Sequence, residues 1–245
     1  MNVYLNEITG MADGLVSMYM SKRSWTPELD KEIHNDWEIY TGYCGNIYDR
    51  DVLKGEREAM KRTQKRLESF CKFAWMHTTM LDFVTISATV EGLHRAGQDD
   101  IDAHAKRYDN RIIRSSTRLA DFTEEEMSDY YKGKIIPTEV ALKLKGIEMP
   151  IAIETDGQRY VKTMGGYIRE DLKDNRDVKR GLYRLCIPSN FIFKCNMAQW
   201  AHVYKLRNKN GTANPEVKEC VEAIQDQIEK QMPWFNREFL GRVQI

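Results

Sequence analysis

Apolar residues recur along this chain mostly at helical intervals. Over residues 54–75, KGEREAMKRTQKRLESFCKFAW, the residues Met60, Leu67, Phe70 and Ala74 fall three, four or seven apart on a charged background, which predicts an amphipathic helix. The same reading predicts helices near 98–112, 123–131, 192–207 and 215–231, the last halted by Pro233. Residues 82–90, DFVTISATV, are rich in β-branched side chains and predict a strand that Glu91-Gly92 ends. Residues 151–161, IAIETDGQRYV, predict a hairpin turning on Asp156-Gly157. Helices interspersed with a few strands imply an α+β (mixed α/β) domain, a central β-sheet flanked by helices. No repeat, low-complexity tract or Pro/Gly/Ser-rich linker divides the 245 residues, so one domain, 1–245, is expected.

Charge narrows the functional classes. Lysine plus arginine and aspartate plus glutamate each number 37, so the whole-chain field favours neither polynucleotides nor membranes, and any anion site is made locally. No apolar run approaches the roughly 18 to 20 residues of a membrane span. The N-terminus, MNVYLNEITG, lacks the basic lead and apolar core of a secretory signal. Five scattered cysteines, Cys44, Cys71, Cys186, Cys195 and Cys220, contain no C-x-x-C pair, which argues against a disulfide frame or a structural zinc site. A cytoplasmic protein without a metal site is the expectation, and Asn210-Gly-Thr212 reads as a turn rather than a glycosylation site.

Two segments carry candidate chemistry. His104, Arg107, Arg111, Arg114 and Arg118 are spaced three, four, three and four apart. On a helix opened by Asp99 and Asp100 they would share one face over roughly 21 Å, while Ile101, Ala105, Tyr108 and Ile112 form an apolar face. Arginine forks suit phosphates and carboxylates, and Ser115-Ser116-Thr117 before Arg118 suits a helix end gripping a phosphate. The same stripe also fits a solvated basic face paired with acids elsewhere. Near the C-terminus stand Arg184-Leu-Cys-Ile-Pro188, then Asn196 through Arg207, then Ala213-Asn-Pro-Glu216-Val. Asn196 and Arg207 lie three helical turns apart with Trp200 and Val203 between them, a pattern that a core stripe with a snorkelling arginine also satisfies. His202 lies off that face.

Together these segments resemble the flavin-dependent thymidylate synthases. That family shows an arginine, a short apolar run and a proline, then an Asn-led helix ending in Leu-Arg, then an Ala-x-x-Glu-Ile-like element. Here they stand as Arg184 to Pro188, Asn196 to Leu206-Arg207, and Ala213 to Val217. Ser21-Lys-Arg-Ser24 looks like the family's N-terminal Arg-x-Ser element, and His77-Thr78-Thr79 like its folate- and flavin-side loop. The family's Arg-His-Arg followed by Ser-x-Arg is half kept. Ser116-Thr-Arg118 is present, whereas Arg107-Tyr-Asp-Asn-Arg111 replaces the first half, and Arg114 stands where the family carries an acid.

The resemblance implies methylation of dUMP to dTMP, with FAD as cofactor, methylenetetrahydrofolate as carbon donor and NADPH as reductant, in a homotetramer. It implies Arg184 and Arg207 as catalytic residues on the uracil and sugar-phosphate, and Ser116 and Arg118 on the 5′-phosphate. Asn196, His202, Arg107, Arg111, Ser24 and Thr79 are the implied FAD contacts. No enzyme thiol is required. The altered Arg-His-Arg segment keeps open another flavin-dependent pyrimidine-modifying enzyme, and the 104–118 stripe keeps open a non-catalytic nucleotide- or nucleic-acid-binding protein.

Overall fold

A computed structural model describes residues 1–49, 51–102, 111–115, 127–163, 165–175 and 185–244. Its centre is a four-stranded antiparallel sheet of β1 (Asn2–Thr9), β2 (Thr85–His94), β3 (Arg111–Arg114) and β7 (Pro188–Asn196), in the order β1-β2-β7-β3. Alternation gives the sheet one dry face. Ile86, Ala88 and Val90 of β2, Phe191, Phe193 and Cys195 of β7, and Leu5 of β1 all point into the core. The other face is polar: Asn6 donates to the Thr89 hydroxyl at 3.0 Å, and Lys194 pairs with Glu7 at 3.3 Å.

Helices cover the dry face. Among them are α1 (Met11–Ser21), α2 (Pro27–Gly42) and α3 (Lys54–Ala74), and from the C-terminal third α6 (Met197–Arg207), α7 (Pro215–Gln231) and α8 (Arg237–Arg242). α7 packs across β1 and β2. Trp200 of α6, fully buried, stacks on Phe193 at 6.0 Å and donates its indole N–H to Gln225 of α7 at 2.9 Å. α2 starts with Pro27 behind Thr26, whose hydroxyl accepts from Leu29 N–H. It is tied to α3 through Asp36, a fully buried carboxylate that receives Arg62 at 2.7 and 2.9 Å and Arg66 at 2.5 Å. None of the helices described is long and apolar enough to cross a membrane.

Several expected boundaries move. The helix near 98–112 is two elements: α4 (Arg95–Asp102) and the strand β3, in which Ile112 pairs with Phe193 and Arg114 with Phe191. An Arg-Ile-Ile-Arg segment has an apolar edge to offer a Phe-rich strand, and that pairing overrides the helical spacing of the arginines. The five cations therefore do not share a helix face, and Asp99 and Asp100 close a helix rather than open one. The helix expected over 192–207 begins only at Met197, because Phe191, Phe193 and Cys195 alternate inward as strand. The strand expected over 82–90 runs from 85 to 94, its first residues belonging to a 3-10 turn, Thr78–Phe83. Gly92, at φ 81°, does not end it but sits where the pairing with β7 slips between Val90 and Leu93. Of the helix near 123–131, residues 127–131 are irregular and turn, and the remainder lies outside the described residues.

Elsewhere the expectations and the structure coincide. α3 and α7 occupy 54–74 and 215–231. The hairpin is β4 (Ala152–Thr155) and β5 (Gln158–Thr163), turning on Asp156 and Gly157 at φ 51° and 69° as a two-residue primed turn requires. A third strand, β6 (Gly166–Arg169), completes a separate small sheet behind the short helix α5 (Thr138–Leu144). The mixture of helices and antiparallel strands is the α+β class.

Candidate functional site

α6 is the organising element, because its two ends lie against different parts of the molecule. Asn196 ends β7 in extended conformation and caps α6, its side-chain oxygen accepting from Gln199 N–H at 2.8 Å. The next residue, Met197, donates its N–H to the Val84 carbonyl at 2.7 Å, which joins the start of α6 to the end of the 3-10 turn. Arg207 is the last residue of α6. Eleven residues at about 1.5 Å each separate Asn196 from Arg207 by roughly 16 Å, so the two cannot grip the same small group. They define two poles.

The charged pole, where arginines meet aspartates, is built on α4. Arg207 donates from Nε to the Asp100 carbonyl at 3.4 Å, with Nη2 3.8 Å from the Asp100 carboxylate. Arg114, at the end of β3, pairs with Asp99 and, at 2.8 Å, with Asp102. Three acids in the last turn of a helix oppose its dipole, and the two arginines offset that cost. The backbone that follows Arg184 docks on the same helix: Ala96 N–H donates to Leu185 O at 3.2 Å and Arg95 N–H to Ile187 O at 3.1 Å. Ala96 and Asp100 are one turn apart, about 6 Å along the axis.

The other pole is largely apolar, with one carboxylate, Asp13, on its rim. Between α1 and the 3-10 turn opens a cavity of about 580 Å³ lined by residues that include Val16, Met20, Met80 and Phe83, with Ser17, His77 and Thr79 as polar groups. Phe83 is half exposed, so the cavity presents an aromatic face to solvent. Gly10 fixes this geometry: it stands at φ 74°, and a Cβ there would lie 1.9 Å from the Phe83 carbonyl oxygen.

The expected site residues thus divide. Thr79 lines the cavity and Arg207 stands at the α4 pole, whereas Asn196, buried at the start of α6, and His202, half-buried along it, do not line the cavity. Ser24 is exposed just beyond α1, its hydroxyl 3.4 Å from the Tyr19 carbonyl, and does not line the cavity. Arg111 has its backbone paired with Lys194 in β3 rather than on a helix. Arg184, Ser116, Arg118 and Arg107 lie outside the described residues. Sequence reasoning missed the acids. Asp99, Asp100 and Asp102 form a legible run, but their partners are 12 to 107 residues away. Burial raises the Cys71 thiol to about 12 and pushes Cys195 and Cys220 up as well, so none of these three is a ready nucleophile.

Comparisons with known proteins bear on the fold and the family. Flavin-dependent thymidylate synthase ThyX from Helicobacter pylori, solved with FAD and dUMP, superposes with TM-scores of 0.54 and 0.55 in two structures. The identities are 12% and 10%, over 98% and 97% of this chain and 99% of each of those chains. The UMP/dUMP methylase PolB from Streptomyces cacaoi, bound with 5-Br dUMP, superposes with a TM-score of 0.53 at 12% identity, covering 99% of this chain and 96% of that one. At such identities the likeness establishes the fold. No curated protein sequence matches the chain. The family profile described as thymidylate synthase complementing protein matches residues 34–234. That span takes in the 3-10 turn, α4, β3 and all of α6, and the chain belongs to the thymidylate synthase complementing protein family.

Proposed function

We propose that this protein is a flavin-dependent thymidylate synthase that methylates dUMP to dTMP, with FAD as cofactor, methylenetetrahydrofolate as carbon donor and NADPH as reductant. The observation that carries the reading is the attachment of two arginine-bearing segments one turn apart on α4, Leu185 at Ala96 and Arg207 at Asp100. An arginine seated at the end of α4, with the backbone that follows a second arginine docked one turn away, suits a pyrimidine monophosphate, whose oxygens and phosphate all accept.

The apolar pole suits the flavin. A cavity of about 580 Å³ with apolar walls, a few hydroxyl and imidazole groups and the Asp13 carboxylate matches the chemistry of a flat, amphipathic ring. Thr79, Asn196 and His202 would hold it, with Ser24, Arg107 and Arg111 toward its ribityl and phosphate end. When bound and reduced, the flavin supplies the hydride delivered to C6 of the uracil ring. Arg207 and Arg184 orient the uracil and accommodate negative charge on its oxygens, and Ser116 and Arg118 bind the 5′-phosphate. The raised thiols of Cys71, Cys195 and Cys220 fit a reaction without a cysteine nucleophile. A cytoplasmic homotetramer is part of this reading.

The test is direct. Purified protein given dUMP, methylenetetrahydrofolate and NADPH is expected to form dTMP, and its yellow flavin to bleach with NADPH only when dUMP is present. Arg207→Ala is expected to lose dUMP binding in a protein that still folds, as read by circular dichroism. Unchanged dUMP affinity would sink the assignment. One second reading has its own support: the structural likeness to a UMP/dUMP methylase, together with Arg107-Tyr-Asp-Asn-Arg111 in place of Arg-His-Arg, favours another flavin-dependent uridylate modification. Tighter binding of UMP than dUMP, with no dTMP formed, would select it.

A further inference from the structure

The cluster that the proposed reaction leaves unused is a buried imidazole–carboxylate pair. His94, the last residue of β2, and Glu216, in the first turn of α7, are each only 2% exposed, and His94 Nδ1 is hydrogen-bonded to Glu216 Oε2. Ser128 donates its hydroxyl to the same carboxylate oxygen at 3.2 Å. The ring of Tyr131 meets His94 edge-on at 5.0 Å, and its hydroxyl accepts from Asn214 Nδ2 at 2.9 Å. Asn214 closes the circuit by accepting Glu216 N–H at 2.9 Å as the cap of α7.

A pair like this is an expensive way to fill a core. Apolar side chains of similar volume hold a fold at least as well, because desolvating the charged or strongly polar groups offsets most of their attraction. What the pair adds is direction. Four separate stretches meet on it: the β2–α4 junction, residues 127–131, the start of α7, and the backbone after Arg184, since Ser128 N–H donates to Cys186 O at 2.9 Å. Gly97, in the first turn of α4, reinforces the junction. A Cβ there would lie 2.7 Å from His94 and 3.0 Å from Val217, so α4 sits hard against both partners. α4 in turn carries Asp100, the contact of Arg207.

We propose that His94 and Glu216 are positioning residues for the pyrimidine nucleotide: by fixing α4 against α7 they set where the Arg207 guanidinium stands. This rests on the reading of Arg207 as a dUMP ligand. A misplacement of about 1 Å at a contact of this kind is enough to change binding or turnover by orders of magnitude.

The test is a double-mutant cycle on the full chain, with dUMP affinity read by calorimetry and folding by thermal melting. Arg207→Lys keeps the charge but loses the fork, and is expected to weaken dUMP about tenfold. Glu216→Gln keeps shape and is expected to weaken dUMP about tenfold in the wild-type background and less than twofold in the Arg207→Lys background. A tenfold loss in both backgrounds, or none in the wild type, overturns the positioning role, because a merely structural pair gives additive effects. Should Glu216→Gln not fold, Ser128→Ala tests the same link, with about a threefold loss expected, again absent in Arg207→Lys. If Arg207→Lys binds dUMP as the wild type does, the reading of the site itself fails. If it weakens while Glu216→Gln and Ser128→Ala do not, only the present inference fails.

Discussion

Asn196→Ala separates what a residue does for the fold from what it does for a cofactor. In the wild type the Asn196 oxygen accepts from Gln199 N–H at 2.8 Å, and both residues are buried, at 6% and 1% exposure. Removing the acceptor leaves that N–H unsatisfied away from water, which costs about 1–2 kcal/mol. For a chain of this size each kcal/mol lowers the melting temperature by about 2–4 °C, so a fall of roughly 2–8 °C is expected. Asn196→Asp restores an acceptor and places a negative charge at the helix start, which recovers most of that loss. It also removes Nδ2. On the proposed site, Asn196→Asp therefore melts near the wild type yet retains less flavin after desalting. Circular dichroism melts and the flavin absorbance of the desalted protein read the two effects independently. An alanine variant melting within about 1 °C of the wild type would refute the capping argument. An aspartate variant keeping its full flavin would remove Asn196 from the cofactor contacts.

Three further outcomes follow from geometry alone. Asp36→Ala removes the buried carboxylate shared by Arg62 and the nearly buried Arg66, leaving them the more exposed Glu32, and is expected to cost about 3 kcal/mol, seen as a lower urea midpoint at unchanged slope. Gly10→Ala drives a methyl group into the Phe83 carbonyl at a left-handed backbone position and is expected to cost at least about 2 kcal/mol while narrowing the Thr79 cavity, measurable in the same urea titration. His34 bonds to the Asp30 carbonyl and, despite some desolvation, to Asp13, which together raise its pKa above 6.5. A raised folded-state value gives stability that is complete below about pH 6.5 and lost as pH climbs through the folded pKa. The stability gap between wild type and His34→Gln is therefore expected to be wider at pH 5 than at pH 8.

The elements that could be read from the sequence were those whose pattern is local. α3 shows because Met60, Leu67, Phe70 and Ala74 repeat on one side of a charged helix, and the β4–β5 turn shows because Asp156-Gly157 needs nothing beyond itself. β3 was misread because four residues with arginines at helical spacing carry no mark of the strand they will join; Phe191 to Lys194 decide that, about 80 residues later. β7 was merged into α6 for a related reason, its alternation being too short to stand apart from the helix behind it. Of the candidate site, family resemblance and spacing propose Asn196 and Arg207. Their separation onto two poles was not legible, because it depends on Val84 and Asp100, contacts that no periodicity announces.

The carboxylates at the end of α4 bear on which anions that corner admits. Bare guanidinium groups accept almost any phosphate ester that drifts past, ribosomal or messenger RNA included. Here a newcomer meets Arg207 and Arg114 already accompanied by aspartates, and has to better that company through shape as well as charge. Selectivity of this kind sacrifices some tightness for the rejection of competing anions.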